Sequence, residues 1–392
     1  MDDVLIVGAG PAGAVAAIVL ARAGARVRLL DRATFPRDKL CGDTVNPGTL
    51  AELERLGLAP TLAGSLRVEG MRVTGPDGLT IDGRYPHGLT GRALLRRDLD
   101  WALLQQAIGA GARFEPELPV RRAIVEQAGA AKTVAGVIVG VDGHERALRA
   151  PVTIAADGRR STLAFSLGLA RHPDSPRRWA IGAYYEGAAG LSALGEMHVR
   201  RGRYIGVAPL PGGVANVCLV TPSRPADPAL RAPALLLKTE LERDSWLRDR
   251  FAAARLVRPP TVLGPLAVDL ADEDVAGLLL AGDAAGFIDP MTGDGLRFAV
   301  RGGVLAADAA LEALAGGWHG VHAGLRGARH QEFAAKWRFN RTLRATVASP
   351  SGIRLGAVAA RLWPGVLRRI VSAAGDCDLA NKSSKFDVRS PK

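Results

Sequence analysis

The stretch VLIVGAGPAGAVAA, starting at Val4, constrains this chain more than any other. Val4 to Val7 is a short β-branched run of the kind that forms a buried parallel strand. Ala12 to Ala23 consists of good helix formers with no proline inside. Between them, Gly8 allows a tight turn, Gly10 has no Cβ to block a phosphate, and Gly13 lets the helix pack close to the strand. The helix N-terminus then offers N–H groups and a positive dipole end to a pyrophosphate. A second strand, Arg26 to Leu30, stops at Asp31. That acid lies about 20 residues after the glycines, where a carboxylate binds an adenosine ribose hydroxyl. Together these elements predict a dinucleotide site, with NAD(P) and FAD both open at this point.

The chain has 392 residues and a formal net charge of +12. That length buries one large core or two smaller ones. The basic residues are mostly arginine, scattered among Ala, Gly and Pro. Nucleic-acid binding calls for basic clusters with interleaved aromatics, and aromatics are sparse, so the charge reads as solvated surface and no nucleic-acid partner is expected. No run reaches the roughly 18 uncharged apolar residues needed to span a membrane. Asp2 and Asp3 precede the first strand, unlike a signal peptide. Cys41, Cys218 and Cys377 are too widely spaced for a disulfide framework or a zinc site, so a cytoplasmic, metal-free protein is expected.

Further along, Pro47 suits the first turn of a helix ending near Gly57. Leu66 to Tyr85 reads as a hairpin, Leu94 to Gly111 as an amphipathic helix, and 119–156 as a β-meander. Residues 173–270 are strand-rich, with one helix near Ala229 to Arg243. The stretch LLLAGDAAGFIDPMTGDGL then restores the order of buried strand, glycine loop and helix. In it, Gly282 permits a close turn and Asp283 emerges at the carboxyl end of a strand, where ligands bind in open α/β sheets. The loop through Pro290, Gly293 and Gly295 precedes a long helix and forms an anion site. A reduced flavin is such an anion. A third element, TIAADGRRST, runs a strand into Asp157 and Gly158.

The ordered set GAGPAG, RRDLD, AADGRRS and AGDAAGFIDPMTGDGL resembles the single-component FAD-dependent oxidoreductases that include aromatic-ring hydroxylases and geranylgeranyl reductases. The resemblance covers about residues 2–320. It implies an α/β fold of the para-hydroxybenzoate-hydroxylase type, with a Rossmann-like FAD-binding domain, an inserted β-sheet substrate domain and C-terminal helices. The expected division is 1–65, 96–172 and 271–320 for FAD, 66–95 and 173–270 for substrate, 321–380 for the helices and 381–392 for a polar tail. By the same resemblance Gly8, Gly10, Pro11, Ala12 and Gly13 hold the pyrophosphate, and Asp31 with Arg32 the adenosine side. Arg96 contacts the cofactor, and Asp157 and Gly158 belong to a motif linked to FAD and NAD(P)H. Gly282 and Asp283 serve the ribityl or pyrophosphate region, and Pro290, Gly293, Gly295 and Leu296 the isoalloxazine edge. NAD(P)H is then a transient external reductant.

The stretch FPRDKLCGD resembles the reductase branch, which places Cys41 and Gly42 near the flavin face. Cys41 lines the pocket or donates a proton on one reading. On the other, which we prefer, it is a small residue packed under the flavin. That branch also carries a Tyr-x-Trp-x-Phe-Pro pattern along a lipid tunnel. Here YIGVAP keeps Tyr204 and Pro209, but Gly206 and Ala208 replace the aromatic residues, so a wider pocket is expected. The Trp-x-Trp motif of flavin halogenases is missing. This leaves a monooxygenase using dioxygen on a hydrophobic small molecule, favoured because the tunnel motif is degraded, with a geranylgeranyl-reductase-like alkene reductase as the alternative. The stretch 351–374, with Arg354, Arg361, Arg368 and Arg369, suggests either a helix pair packed on the sheet domain or, as a minority reading, peripheral membrane contact.

Overall fold

The computed structural model describes residues 1–348, 352 and 364–380, apart from 76, 77, 130, 142, 176, 225, 226, 272 and 273. Arg354, Arg361 and the expected tail 381–392 lie outside the described residues. At the centre is a five-stranded, wholly parallel sheet. Its order is Leu278–Leu280, Val152–Ala155, Val4–Val7, Val27–Leu30 and Arg113–Glu115. The first strand is buried on both faces, which explains its unbroken apolar run. Val4 and Ile6 join the core beneath the helices, and Leu5 and Val7 join the core beneath the β-meander. That meander is the antiparallel set Val120–Ala128, Ala131–Val139 and Arg146–Arg149.

The helix Pro11–Arg22 packs against the long helix Gly295–Gly316. They meet where a Cβ on Gly303 would lie 2.5 Å from the Ala12 carbonyl oxygen, so only glycine fits there. The helix Arg96–Gly109 completes this layer.

The second body is an eight-stranded mixed sheet. Arg178–Glu186, Val214–Pro222, Arg203–Leu210, Leu194–Arg200, Gly70–Thr74 and Thr80–Arg84 follow one another in it. The Gly70–Arg84 hairpin thus joins strands more than a hundred residues away, through a parallel pairing with Leu194–Arg200. One face, with Ile205, Val207, Val217 and Leu219, is covered by the helices Pro233–Arg243 and Arg248–Phe251. The other presents Tyr204, Val220, Met197 and Cys218 towards Leu40, Phe287 and Met291 of the nucleotide-binding body. The last helices are Val321–Ala348 and Pro364–Gly375, and the latter packs on the Gly70–Arg84 hairpin.

Candidate active site

The glycine turn is built for close approach. Gly8 has φ +100°, and a Cβ there would lie 2.5 Å from the Ala156 oxygen. On Gly13 it would lie 1.8 Å from the Gly8 oxygen. Gly10 differs: its nearest neighbour would be Arg37 Nη2 at 3.4 Å, and no side chain caps the helix that follows. An open, uncapped helix start facing an arginine suits a pyrophosphate. Asp31 accepts from the Ala9 N–H at 2.8 Å and the Ala33 N–H at 2.9 Å, so it braces the turn while each oxygen keeps a lone pair. Arg32 is exposed. Asp157 sits beside Gly8. One of its oxygens accepts from the Thr162 N–H at 2.8 Å, and the other is buried without a partner. Burial raises its pKa. Gly158 turns the chain at φ +84°.

Asp283 follows the Leu278–Leu280 strand, after Gly282 at φ +61°. Among the described residues no group hydrogen-bonds its carboxylate. Burial raises its pKa, opposed by Lys39, Arg96 and Arg159. The orphaned oxygens of Asp157 and Asp283, with the open Gly10 cradle, fit the hydroxyls and phosphates of FAD.

The next loop turns at Pro290–Thr292, and Gly293 takes φ +71°. Gly295 begins the long helix, and a Cβ there would touch only Phe287, at 4.0 Å. Conformation therefore requires Gly293, while Gly295 leaves room in front of the helix start. The Leu296 side chain is buried in the core, so only its backbone is available to a ligand. Asp294 turns away from the site. Its carboxylate is held by Lys336 at 2.8 Å, by Asn340 at 3.0 Å and by the Thr292 hydroxyl. Burial pushes its pKa up to about 6 against the pull of Lys336. Lys336 also pairs with Asp376 at 3.2 Å, tying the last helix to this loop.

Opposite Gly293 stands the segment Cys41–Asn46, with the Thr44 hydroxyl 3.7 Å from where a Gly293 Cβ would be. Cys41 is half-buried beside the Arg96 side chain. Arg96 is committed to Asp100, with contacts of 2.7 and 3.0 Å, and it reaches a cofactor only from within that pair. Asp43 is almost wholly buried at φ +53°. It accepts from Tyr184 Oη at 2.7 Å, Asn216 Nδ2 at 2.6 Å and the Arg96 N–H at 3.0 Å. Burial raises its pKa to about 6, and the Tyr184 and Asn216 bonds oppose the rise.

Between this segment, the Gly293 loop and the large sheet lies a cavity of about 110 Å³. Tyr204, Gly206 and Ala208 line it from one strand, and three of the chain's four methionines, Met71, Met197 and Met291, line it too. Methionine gives an apolar, adaptable wall. Tyr204 contributes its ring, since its hydroxyl donates to Asp289 at 2.7 Å and Asp289 also pairs with Arg178 at 3.2 Å. Of the site residues named from sequence, Gly42, Tyr204 and Gly293 line this cavity. Sequence reasoning passed over Asp43, Asp289, Lys336 and Tyr85. Asp43 and Asp289 stand inside the quoted motifs CGD and IDP, and that position was the only available signal.

Residues 1–192 match the profile of the FAD binding domain. Menaquinone reductase of Mycobacterium tuberculosis is 35% identical over 319 residues, covering 78% of this chain and 76% of that protein. The chain belongs to the FAD-dependent oxidoreductases. A digeranylgeranylglycerophospholipid reductase of Methanopyrus kandleri is 32% identical over 325 residues, covering 80% of this flavoprotein and 81% of its relative. The solved geranylgeranyl bacteriochlorophyll reductase-like protein of Thermoplasma acidophilum superimposes with TM-score 0.76 at 22% identity, over 95% and 99% of the two chains. This likeness shows the shared fold: the Rossmann-like sheet, the added sheet and the C-terminal helices.

Proposed function

We propose that this flavoprotein reduces a carbon–carbon double bond in an isoprenoid-bearing lipid. The observation that carries the reading is the methionine-lined cavity against the Gly293 loop, in a chain whose named relatives include two reductases of isoprenoid-bearing molecules. Gly206 and Ala208, standing where the reductase pattern has aromatic residues, leave space for a branched prenyl chain. The relatives move the weight from oxygenation to reduction. FAD, when bound, supplies hydride. The chain holds the cofactor at Gly8–Gly13, Asp31, Asp157 and Asp283, excludes water with the methionines, and offers the helix start at Gly295 to negative charge. NAD(P)H serves as the external reductant in this reading. A lipid substrate also suits contact with a membrane surface, and among the described residues no helix is long and apolar enough to cross a bilayer.

The test is anaerobic. The FAD-loaded protein is reduced with NADH or NADPH and mixed with a polyprenyl compound. Reoxidation of the flavin without dioxygen, with a product heavier by two hydrogens, is the expected result. Reoxidation only on admitting air, with a product heavier by one oxygen, selects the monooxygenase instead.

A further inference from the structure

The polar side chains around the cavity are nearly all committed elsewhere. Tyr204 donates to Asp289, and Asn216 to Asp43 and, at 2.8 Å, to the Cys41 carbonyl. Thr292 is bonded to Asp294, and Asn46 to Thr49 and Asp376. The Glu196 carboxylate is bound by His198 and Arg250. Among the described residues two hydroxyls on the cavity wall have no partner, those of Thr44 and Tyr85. Thr44 faces the Gly293 loop and so the cofactor side. Tyr85 is left over.

Tyr85 is held in place. Its N–H donates to the Glu69 carbonyl at 2.8 Å. Its ring lies so close to the end of the last helix that a Cβ on Gly375 would come within 2.6 Å of it. The charges nearby are Asp294 and Asp376 against Lys336, two carboxylates for one ammonium. Burial raises the pKa of the phenol, and Cys377, Asp294 and Asp376 add to the rise, so it stays a neutral donor. Among the described residues lining the cavity there is no Lys, Arg or His. A phosphate entering would meet no cation among the described wall residues, whereas a neutral oxygen acceptor would satisfy the free hydroxyl.

We infer that Tyr85 recognises the head of the substrate, and that this head is a neutral group with an acceptor oxygen, of the quinone-carbonyl kind, rather than a phosphate. The inference rests on the isoprenoid-lipid reading above and narrows it. The Tyr85 phenol donates one hydrogen bond to the carbonyl, and the prenyl chain lies along the methionines.

Binding to the oxidised FAD-loaded protein is followed by the perturbation of flavin absorbance. Three detergent-solubilised probes are used: a prenylated naphthoquinone, a prenyl glycerophospholipid and a plain polyprenyl hydrocarbon. Wild type is expected to bind the quinone more tightly than the phospholipid. Tyr85→Phe, which keeps the ring and its packing, is expected to weaken the quinone roughly fivefold, within the range of one net hydrogen bond. The same change should leave FAD content and hydrocarbon binding alone, whereas a purely structural role would move all of them together. Quinone binding unaltered in Tyr85→Phe, or phospholipid binding equal to that of the quinone, overturns the inference. If none of the three probes perturbs the flavin, the isoprenoid reading itself fails. That outcome is distinct, because hydrocarbon binding does not depend on Tyr85.

Discussion

Asp43→Asn probes how a buried carboxylate shapes the pH dependence of this protein. Burial raises Asp43 from 3.8 to about 6, even though Tyr184, Asn216 and the Arg96 N–H all donate to it. The folded protein therefore holds this proton more tightly than the unfolded chain. The resulting stability is fully present below the unfolded pKa of 3.8 and is lost as pH rises through about 6. A shift of roughly two units is worth about 3 kcal/mol. Asparagine has the shape of the neutral acid and never ionises, but its amide nitrogen cannot accept from the surrounding donors, a cost that does not vary with pH. The stability of the variant relative to wild type should therefore rise by about 3 kcal/mol between pH 4 and pH 8. Urea unfolding of both FAD-loaded proteins across that range measures the difference, since all other titrating groups are common to the two. A difference that does not change with pH would refute the reasoning.

Asp283→Ala removes the carboxylate proposed to meet a cofactor hydroxyl and should weaken FAD retention by about 1–3 kcal/mol without unfolding the chain. Full flavin occupancy after long dialysis would count against it. Gly206→Trp should abolish turnover of a prenyl substrate while keeping FAD. A Cβ at this position has ordinary contacts of 3.9 Å, and the indole fills the cavity beyond it. Wild-type turnover in this variant would remove the cavity from the mechanism. Lys336→Met leaves Asp294 and Asp376 without their ammonium and should cost about 3–5 kcal/mol, read as a lowered unfolding midpoint. An unchanged midpoint would mean the pairing contributes nothing.

Local features were legible in the sequence. Gly13 packs on Gly8 and Asp31 braces Ala9, all within one strand–helix–strand unit, so their spacing is readable locally. The place of Asp283 after the Leu278–Leu280 strand was legible because a buried apolar run ending in glycine is a local signal. Element ends shifted by a few residues: the helix expected from Ala229 begins at Pro233, after a separate short turn at Pro228–Arg231. Asp43 was not legible, because its character comes from Tyr184 and Asn216, 141 and 173 residues away. Tyr204 was picked out as a pocket residue, but nothing local shows that its hydroxyl is spent on Asp289, 85 residues further on. Tyr85 stands out only by what it lacks, and an absent partner leaves no trace in a sequence.

The order of strands in the central sheet bears on how the chain is born. Val4–Val7 emerges first from the ribosome, yet its neighbour Val152–Ala155 and the strand beyond, Leu278–Leu280, come far later. The helix Pro11–Arg22 waits longer still for the glycine contact at Gly303. Until then its alanine-rich flank has no lasting cover, the kind of exposed apolar surface that draws chaperones or aggregates. A fragment ending at residue 192 would carry the entire matched FAD-binding region and still lack one strand and the helix that seals it. A flavin site that needs Asp283 as well as the glycine turn is therefore complete only once Leu278–Leu280 and Gly295–Gly316 have been made.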